Sequence, residues 1–109
     1  MPESSANIFE PVPANLPEEV SEILVKSDSV RIERIVSRGH HSPDSFWCDQ
    51  DTAEWVILLK GHAKLEFEED SKLLELKPGN FLNISAHQKH RVQWTDPDQD
   101  TVWLTVHYQ

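Results

Sequence analysis

Glu54 and His90 are the residues whose chemistry needs explaining first. Side chains two apart in a strand share a face, so Glu54 lies with Val56 and Leu58, and His90 with Val92 and Trp94. A carboxylate and an imidazole on faces otherwise built of valine, leucine and tryptophan do not serve packing. Burying an isolated charge costs several kcal/mol unless it is paired or holds a metal. Imidazole and carboxylate suit Zn²⁺ and Fe²⁺ alike. They equally suit a buried hydrogen-bonded pair that anchors a polar ligand, and both readings stay open. Val56, Leu58, Val92 and Trp94 are then expected to line the pocket, with His87, three residues before His90, at its mouth. His40 and His41 follow Gly39 in a loop, and His62 follows the glycine of a turn, so these three are expected at the surface. Alternation does not assign His107 a face.

The elements that must position this pair are strands. From Val30 onward the apolar period is close to two, and glycine and proline punctuate it. Strands are expected near residues 30–37, 54–59, 63–67, 73–76, 81–84, 90–94 and 101–108, with turns at 60–62, 68–71, 77–80 and 96–98. About eight short strands at such spacing describe a sandwich or barrel. Ahead of them, Pro2, Pro11 and Pro13 mark an extended arm. Pro17, Glu18 and Glu19 suit a helix start, and Val20, Ile23 and Leu24 have helical spacing, so a short helix is expected before Ser27. Residues 1–29 are thus read as arm and helix of the same domain, and 30–108 as the barrel.

Two spacings give the barrel a family. Glu54 is followed by six residues and Gly61. Gly79 is followed by five residues, then Ser85-Ala86-His87, two residues and His90. The arrangement resembles the cupin family, whose first motif ends in E-x6-G. Its second motif runs glycine, five residues, Pro-x-Gly, two residues, histidine, three residues, asparagine. The resemblance covers about residues 30–108 and implies an all-β, single-domain antiparallel jelly-roll barrel with a lumen. Glu54 and His90 fall on two of the family's four ligand positions. The His-x-His pair is missing: depending on spacing, its positions hold Cys48 and Gln50, or Trp47 and Asp49. Ser85, His87 and Trp94 stand where the family has proline, glycine and asparagine. The resemblance implies a divalent ion, zinc or iron, held by Glu54 and His90 with Gln50 and Cys48 beside them. An enzyme of this kind would be a metal-dependent dioxygenase, isomerase or lyase acting on a small molecule. The other reading is a metal-free, non-catalytic binding or sensing module with Glu54 and His90 as polar anchors.

Composition narrows the partners. The 109 residues make one small domain, with 19 acidic against 10 basic residues and a formal charge of −9. Such a chain repels phosphate backbones and anionic lipid, so neither nucleic acid nor a membrane is expected as a partner. The longest apolar run, Trp55 to Leu59, is far short of the roughly twenty residues of a membrane span. The first residues lack a signal-peptide pattern, and the single cysteine, Cys48, forms no internal disulfide, so a cytoplasmic protein is expected. On the strand of Glu54 the opposite face carries Trp55, Ile57 and Leu59. A second apolar face needs a cover, either the N-terminal arm or a second copy of the chain. A homodimer is the expected assembly.

Overall fold

Alternating β-branched and apolar residues dominate from Val20, and the computed structural model, which describes residues 4–109, turns them into eight strands. These are β1 (Val20–Lys26), β2 (Val30–Ser37), β3 (Ala53–Lys60), β4 (Ala63–Phe67), β5 (Lys72–Leu76), β6 (Phe81–Ile84), β7 (His90–Thr95) and β8 (Thr101–Tyr108). A single 3-10 turn, Glu69–Ser71, joins β4 to β5, and there is no α-helix among the described residues. A five-stranded sheet, in the order β1-β2-β8-β3-β6, faces a three-stranded one, β5-β4-β7, and every pairing is antiparallel.

The short helix expected before Ser27 is strand β1. Val20, Ile23 and Leu24 fit a helical stripe, but a stripe forms a helix only when it has something to pack against. Here Ile23, Leu24 and Val25 remain 55%, 45% and 52% exposed, and pairing with β2 from Val20↔Val36 to Lys26↔Arg31 decides the conformation instead. Residues 20–26 therefore belong to the sheet. The arm precedes them, and its first residues, Met1–Glu3, lie outside the described ones.

The register places cross-strand rows on the inner face of the larger sheet. One row runs Arg31–His107–Glu54–Ile84, the next Glu33–Thr105–Val56–Leu82, and the next Ile35–Trp103–Leu58. Across the lumen, Ala63, Leu65 and Phe67 of β4 point inward. Together with Val56, Leu58, Leu76, Ile84 and Trp103 they form the main core. A second, smaller core lies on the outside of the large sheet, where Leu16 and Val12 of the arm cover Val36, Val102 and Leu59. The arm is held there by Arg34, which is 3% exposed, pairs with Glu22, and donates to the carbonyls of Ile8 (2.7 Å) and Pro11 (2.8 Å).

Gly61 shows why the turn after β3 needs glycine. Its φ is +96°, and a Cβ there would sit 2.4 Å from Thr101 Oγ1 and 2.5 Å from Thr101 Cα. No side chain fits such an approach, so β3 can turn into β4 against β8 only through glycine.

Candidate functional site

Three elements bring Glu54 and His90 together. Glu54 enters from β3 and His90 from the start of β7, and their side chains are 13% and 9% exposed. The loop before β3 runs antiparallel to β7 at Cys48, where the Cys48 N–H donates to the His90 carbonyl (2.7 Å) and the His90 N–H to the Cys48 carbonyl (3.1 Å). That contact sets Gln50 two residues on, and its Nε2 donates to Glu54 Oε1 at 2.9 Å. His90 Nε2 lies 3.5 Å from the same oxygen, while His90 Nδ1 is 2.9 Å from the Gln88 carbonyl. A carbonyl only accepts, so Nδ1 carries a proton. Nε2 is then left facing a carboxylate, an arrangement that favours a second proton on the ring.

The titration of both groups follows from this geometry. Burial opposes the charged form of Glu54, but the hydrogen bonds from His90 and Gln50 outweigh it and hold the carboxyl below its ordinary value. His107, across the strand, adds to the same effect. Burial likewise disfavours imidazolium at His90, but the bonds to Glu54 and to the Gln88 carbonyl prevail and raise its pKa. Burial raises the pKa of the half-buried Cys48 thiol, and the Glu54 carboxylate raises it further against a smaller opposing effect of Gln50. A thiol so placed is a poor nucleophile near neutrality.

Glu54 and His90 line a cavity of about 90 Å³ between the sheets, walled by Ile35, Val56, Leu65, Ile84, Val92 and Trp103. Two further polar groups reach it, Glu19 and Thr105. Thr105 is 1% exposed, and its hydroxyl finds no hydrogen-bond partner among the described residues. Glu19 sits at the other end, where a chain runs from Trp103 Nε1 to Ser37 Oγ (3.3 Å) and from Ser37 Oγ to Glu19 Oε2 (3.1 Å). Glu19 and Val92 also line a wider, open hollow of about 350 Å³ with Glu18, His40 and His41.

Of the residues expected in the pocket, Val56 and Val92 line the cavity, and Leu58 is fully buried in the core beneath it. Trp94 does not line it. The register of β7 against β4 skips Gln93, pairing Lys64 with Trp94 but Leu65 with Val92. That one-residue bulge turns Trp94 outward. There it meets the His62 ring edge-on at 5.1 Å, and the Lys64 ammonium at 5.4 Å. His87 does not line it either. With its side chain 63% exposed, it bonds Asp49 at 2.8 Å and lies 3.6 Å from Asp51, while its N–H donates to the Gln50 carbonyl (2.8 Å). It braces the loop that presents Gln50. His107, to which alternation assigns no face, points inward at 8% exposure, with Nε2 3.8 Å from Glu33.

Sequence reading missed Thr105, Trp103 and Glu19. On β8 the residues Thr101, Trp103, Thr105 and His107 face in, while Val102, Leu104, Val106 and Tyr108 face out. The outward set is the more apolar one because β8 is the central strand of its sheet, with its outer side partly covered by the arm. Polarity alone therefore points the wrong way for this strand.

A resident metal ion is tested by the same donors. Among the described residues no group of three or more His, Cys, Asp and Glu side chains converges as ligands would. Glu54 and His90 supply two donors, and Gln50 turns its amide N–H₂ rather than its oxygen toward Glu54. Catalytic zinc sites use three protein ligands, so this set does not fit a resident ion.

Two facing antiparallel sheets around a small lumen, lined by the carboxylates of Glu19 and Glu54 and the imidazole of His90, define a jelly-roll barrel. Solved structures give that class a family. The chain is 40% identical to a protein from Ralstonia eutropha described as a candidate mannose-6-phosphate isomerase, covering 97% of this chain and 98% of that one with a TM-score of 0.92. It also superposes on a cupin superfamily protein from Desulfitobacterium hafniense (19% identity, 89% and 83% coverage, TM-score 0.73). A third match is an RmlC-like cupin from Desulfovibrio desulfuricans (17% identity, 95% of each chain, TM-score 0.72). No protein-family model and no curated protein matches the sequence. The chain belongs to the cupin superfamily. No helix among the described residues is long and apolar enough to cross a membrane.

Proposed function

We propose that this cupin binds a small organic molecule in its lumen without a metal, using Glu54 and His90 as polar anchors. The observation that carries the reading is the closed donor set. Glu54 is engaged by His90 and Gln50 together, and the Thr105 hydroxyl is buried in the same cavity with no partner among the described residues. A buried hydroxyl without a partner costs roughly 1–3 kcal/mol, a cost that a ligand with one matching polar group would offset. The Ralstonia relative's name suggests a sugar phosphate. The lumen argues against carrying that substrate over, since ligand sites for molecules of such size run to about 300 Å³ or more and this one holds about 90 Å³.

A shared divalent ion is the second reading. It is favoured by one feature, the His90 Nδ1–H bond to the Gln88 carbonyl, because metal-ligating histidines donate their other N–H in this way. His90 and Glu54 would then be the residues that hold zinc or iron, with the shortage of donors described above. Elemental analysis separates the two. Protein purified without a histidine tag, loaded with zinc or ferrous iron and dialysed, should retain well below one ion per chain. One ion per chain that disappears in His90→Ala would overturn the metal-free reading.

The same proposal includes a cytoplasmic homodimer. Its support is the outer face of the large sheet, where the arm reaches Leu59 but leaves Trp55 and Ile57 only half-buried. Phe81, 63% exposed, lies 5.6 Å from Trp55 between ring centres. A second copy meeting this face would cover what the arm does not.

A further inference from the structure

We infer that the lumen selects by charge: its occupant is a small hydrogen-bond donor without negative charge, and anions are excluded. The inference rests on the binding reading above and names the ligand class for that same cavity. Neither the lumen nor the hollow in front of it is lined by a lysine or an arginine. Three carboxylates face the path instead, with Glu18 and Glu19 outside and Glu19 and Glu54 at the two ends of the lumen. Arg31, on the inner face beside His107, is paired with Glu33 at 2.9 Å and lines neither space, and the other basic residues nearby are engaged on other faces. Arg91 bonds Glu66 and the Ser42 carbonyl, and Arg38 bonds Asp100 and the Ala14 carbonyl.

The histidines do not reverse this, for the inward His107 lies 3.8 Å from Glu33 and lines neither space. His90 faces Glu54 at 3.5 Å, so the pair together brings no net positive charge. His40 Nδ1 accepts the Arg38 N–H at 2.9 Å, which fixes that nitrogen as unprotonated. His41 is exposed, with Nδ1 donating to the Ser42 carbonyl. An anion entering the lumen would leave water for apolar walls with no cation to meet it, a transfer that costs far more than that of a neutral group. The field of a chain with formal charge −9 opposes its approach as well. The polar atoms that remain, the Glu19 and Glu54 carboxylates and the Thr105 hydroxyl, are acceptors or can act as acceptors. A donor-bearing molecule such as an amide, alcohol or amine, a few non-hydrogen atoms in size, matches both their sign and the cavity of about 90 Å³.

Propionamide and propionate form the deciding pair, since they share a shape and differ in charge and donors. The measurement is an NMR titration at low ionic strength and mildly alkaline pH, reading the Thr105 methyl and the Trp103 indole N–H, with inorganic phosphate as a third probe. Propionamide should shift both resonances, and propionate and phosphate should bind about ten-fold more weakly or not at all, a gap of the size expected for an uncompensated charge near a carboxylate. Glu19→Gln should narrow the gap, and Thr105→Val, read at the Trp103 indole N–H, should lose the propionamide response while keeping the fold. Propionate binding as tightly as propionamide would overturn the charge selection and leave the binding reading standing. No probe moving either resonance would overturn the binding reading itself, and the selection with it.

Discussion

A histidine whose Nδ1 proton is committed to a carbonyl meets a carboxylate well only when its second nitrogen is protonated too. That is the situation of His90 between Gln88 and Glu54, and it makes the stability of the barrel depend on pH in a definite direction. Glu54 is held below its ordinary 4.5, so its contribution is present above that pH and is lost as pH falls through the lowered value. His90 is held above its ordinary 6.5, so its contribution is full below 6.5 and is lost as pH rises through the raised value. Gln50, Cys48, His107 and the ring of Phe67, 6.1 Å from the imidazole, are the other groups packed about the pair. The pair therefore stabilises most in mildly acid solution and less toward alkaline pH. The thermal midpoint of the wild type should decline from about pH 6 to about pH 8.5, and His90→Gln should flatten that decline. Equal slopes in the two proteins would show that the pair does not titrate as its geometry requires.

Among the elements, the N-terminal arm carries a burden out of proportion to its lack of regular structure. Two of its carbonyls satisfy the buried Arg34 guanidinium, and Leu16 and Val12 cap the outer core. Deleting residues 1–12 leaves that guanidinium with Glu22 alone, and removing one side of a buried charged network costs about 3–5 kcal/mol. Thermal unfolding of the truncated chain should show a loss of this order. Arg34→Met in the full chain should lose less, because an apolar replacement leaves no charge to satisfy. An arm deletion without measurable effect would mean that the outer core stands without its cover. Elements also explain what the sequence reveals and what it hides. The E-x6-G spacing and the position of His90 place the acid and the imidazole in one lumen, because both depend on strand period and on turns that demand glycine, as at Gly61. Trp94 is misplaced by the same alternation, because one extra residue at Gln93 inverts the face and leaves no mark in composition. Strand β1 reads as a helix because Val20, Ile23 and Leu24 fit the helical period, while the β-branched Val20, Ile23 and Val25 suit a strand. Only the available edge of β2 decides between them. Thr105 stays hidden because a central strand has two covered sides, and polarity no longer tells them apart.

At the scale of the whole molecule, the unevenly covered outer face makes assembly a measurable property. Phe81 is exposed and packs on Trp55 at the far edge of the large sheet from the arm, so Phe81→Asp changes that face without touching either core. Sedimentation at micromolar concentration should give a dimer for the wild type and a monomer for the variant, each with an unchanged fold by circular dichroism. A monomeric wild type would reject the second copy as the cover. The order of strands in that sheet has a further consequence. β8 sits in its middle, between β2 and β3, although it comes last of the eight along the chain. A ribosome releasing this chain lays down seven strands that cannot yet close the larger sheet. The early strands β1 and β2 can pair at once, but β3 and β6 have no path to them until β8 emerges and slides between. Closure of the barrel is thus a late event of synthesis, gated by the arrival of residues 101–108. Until then unpaired strand edges stay open, and a formal charge of −9 on the chain opposes their association between copies.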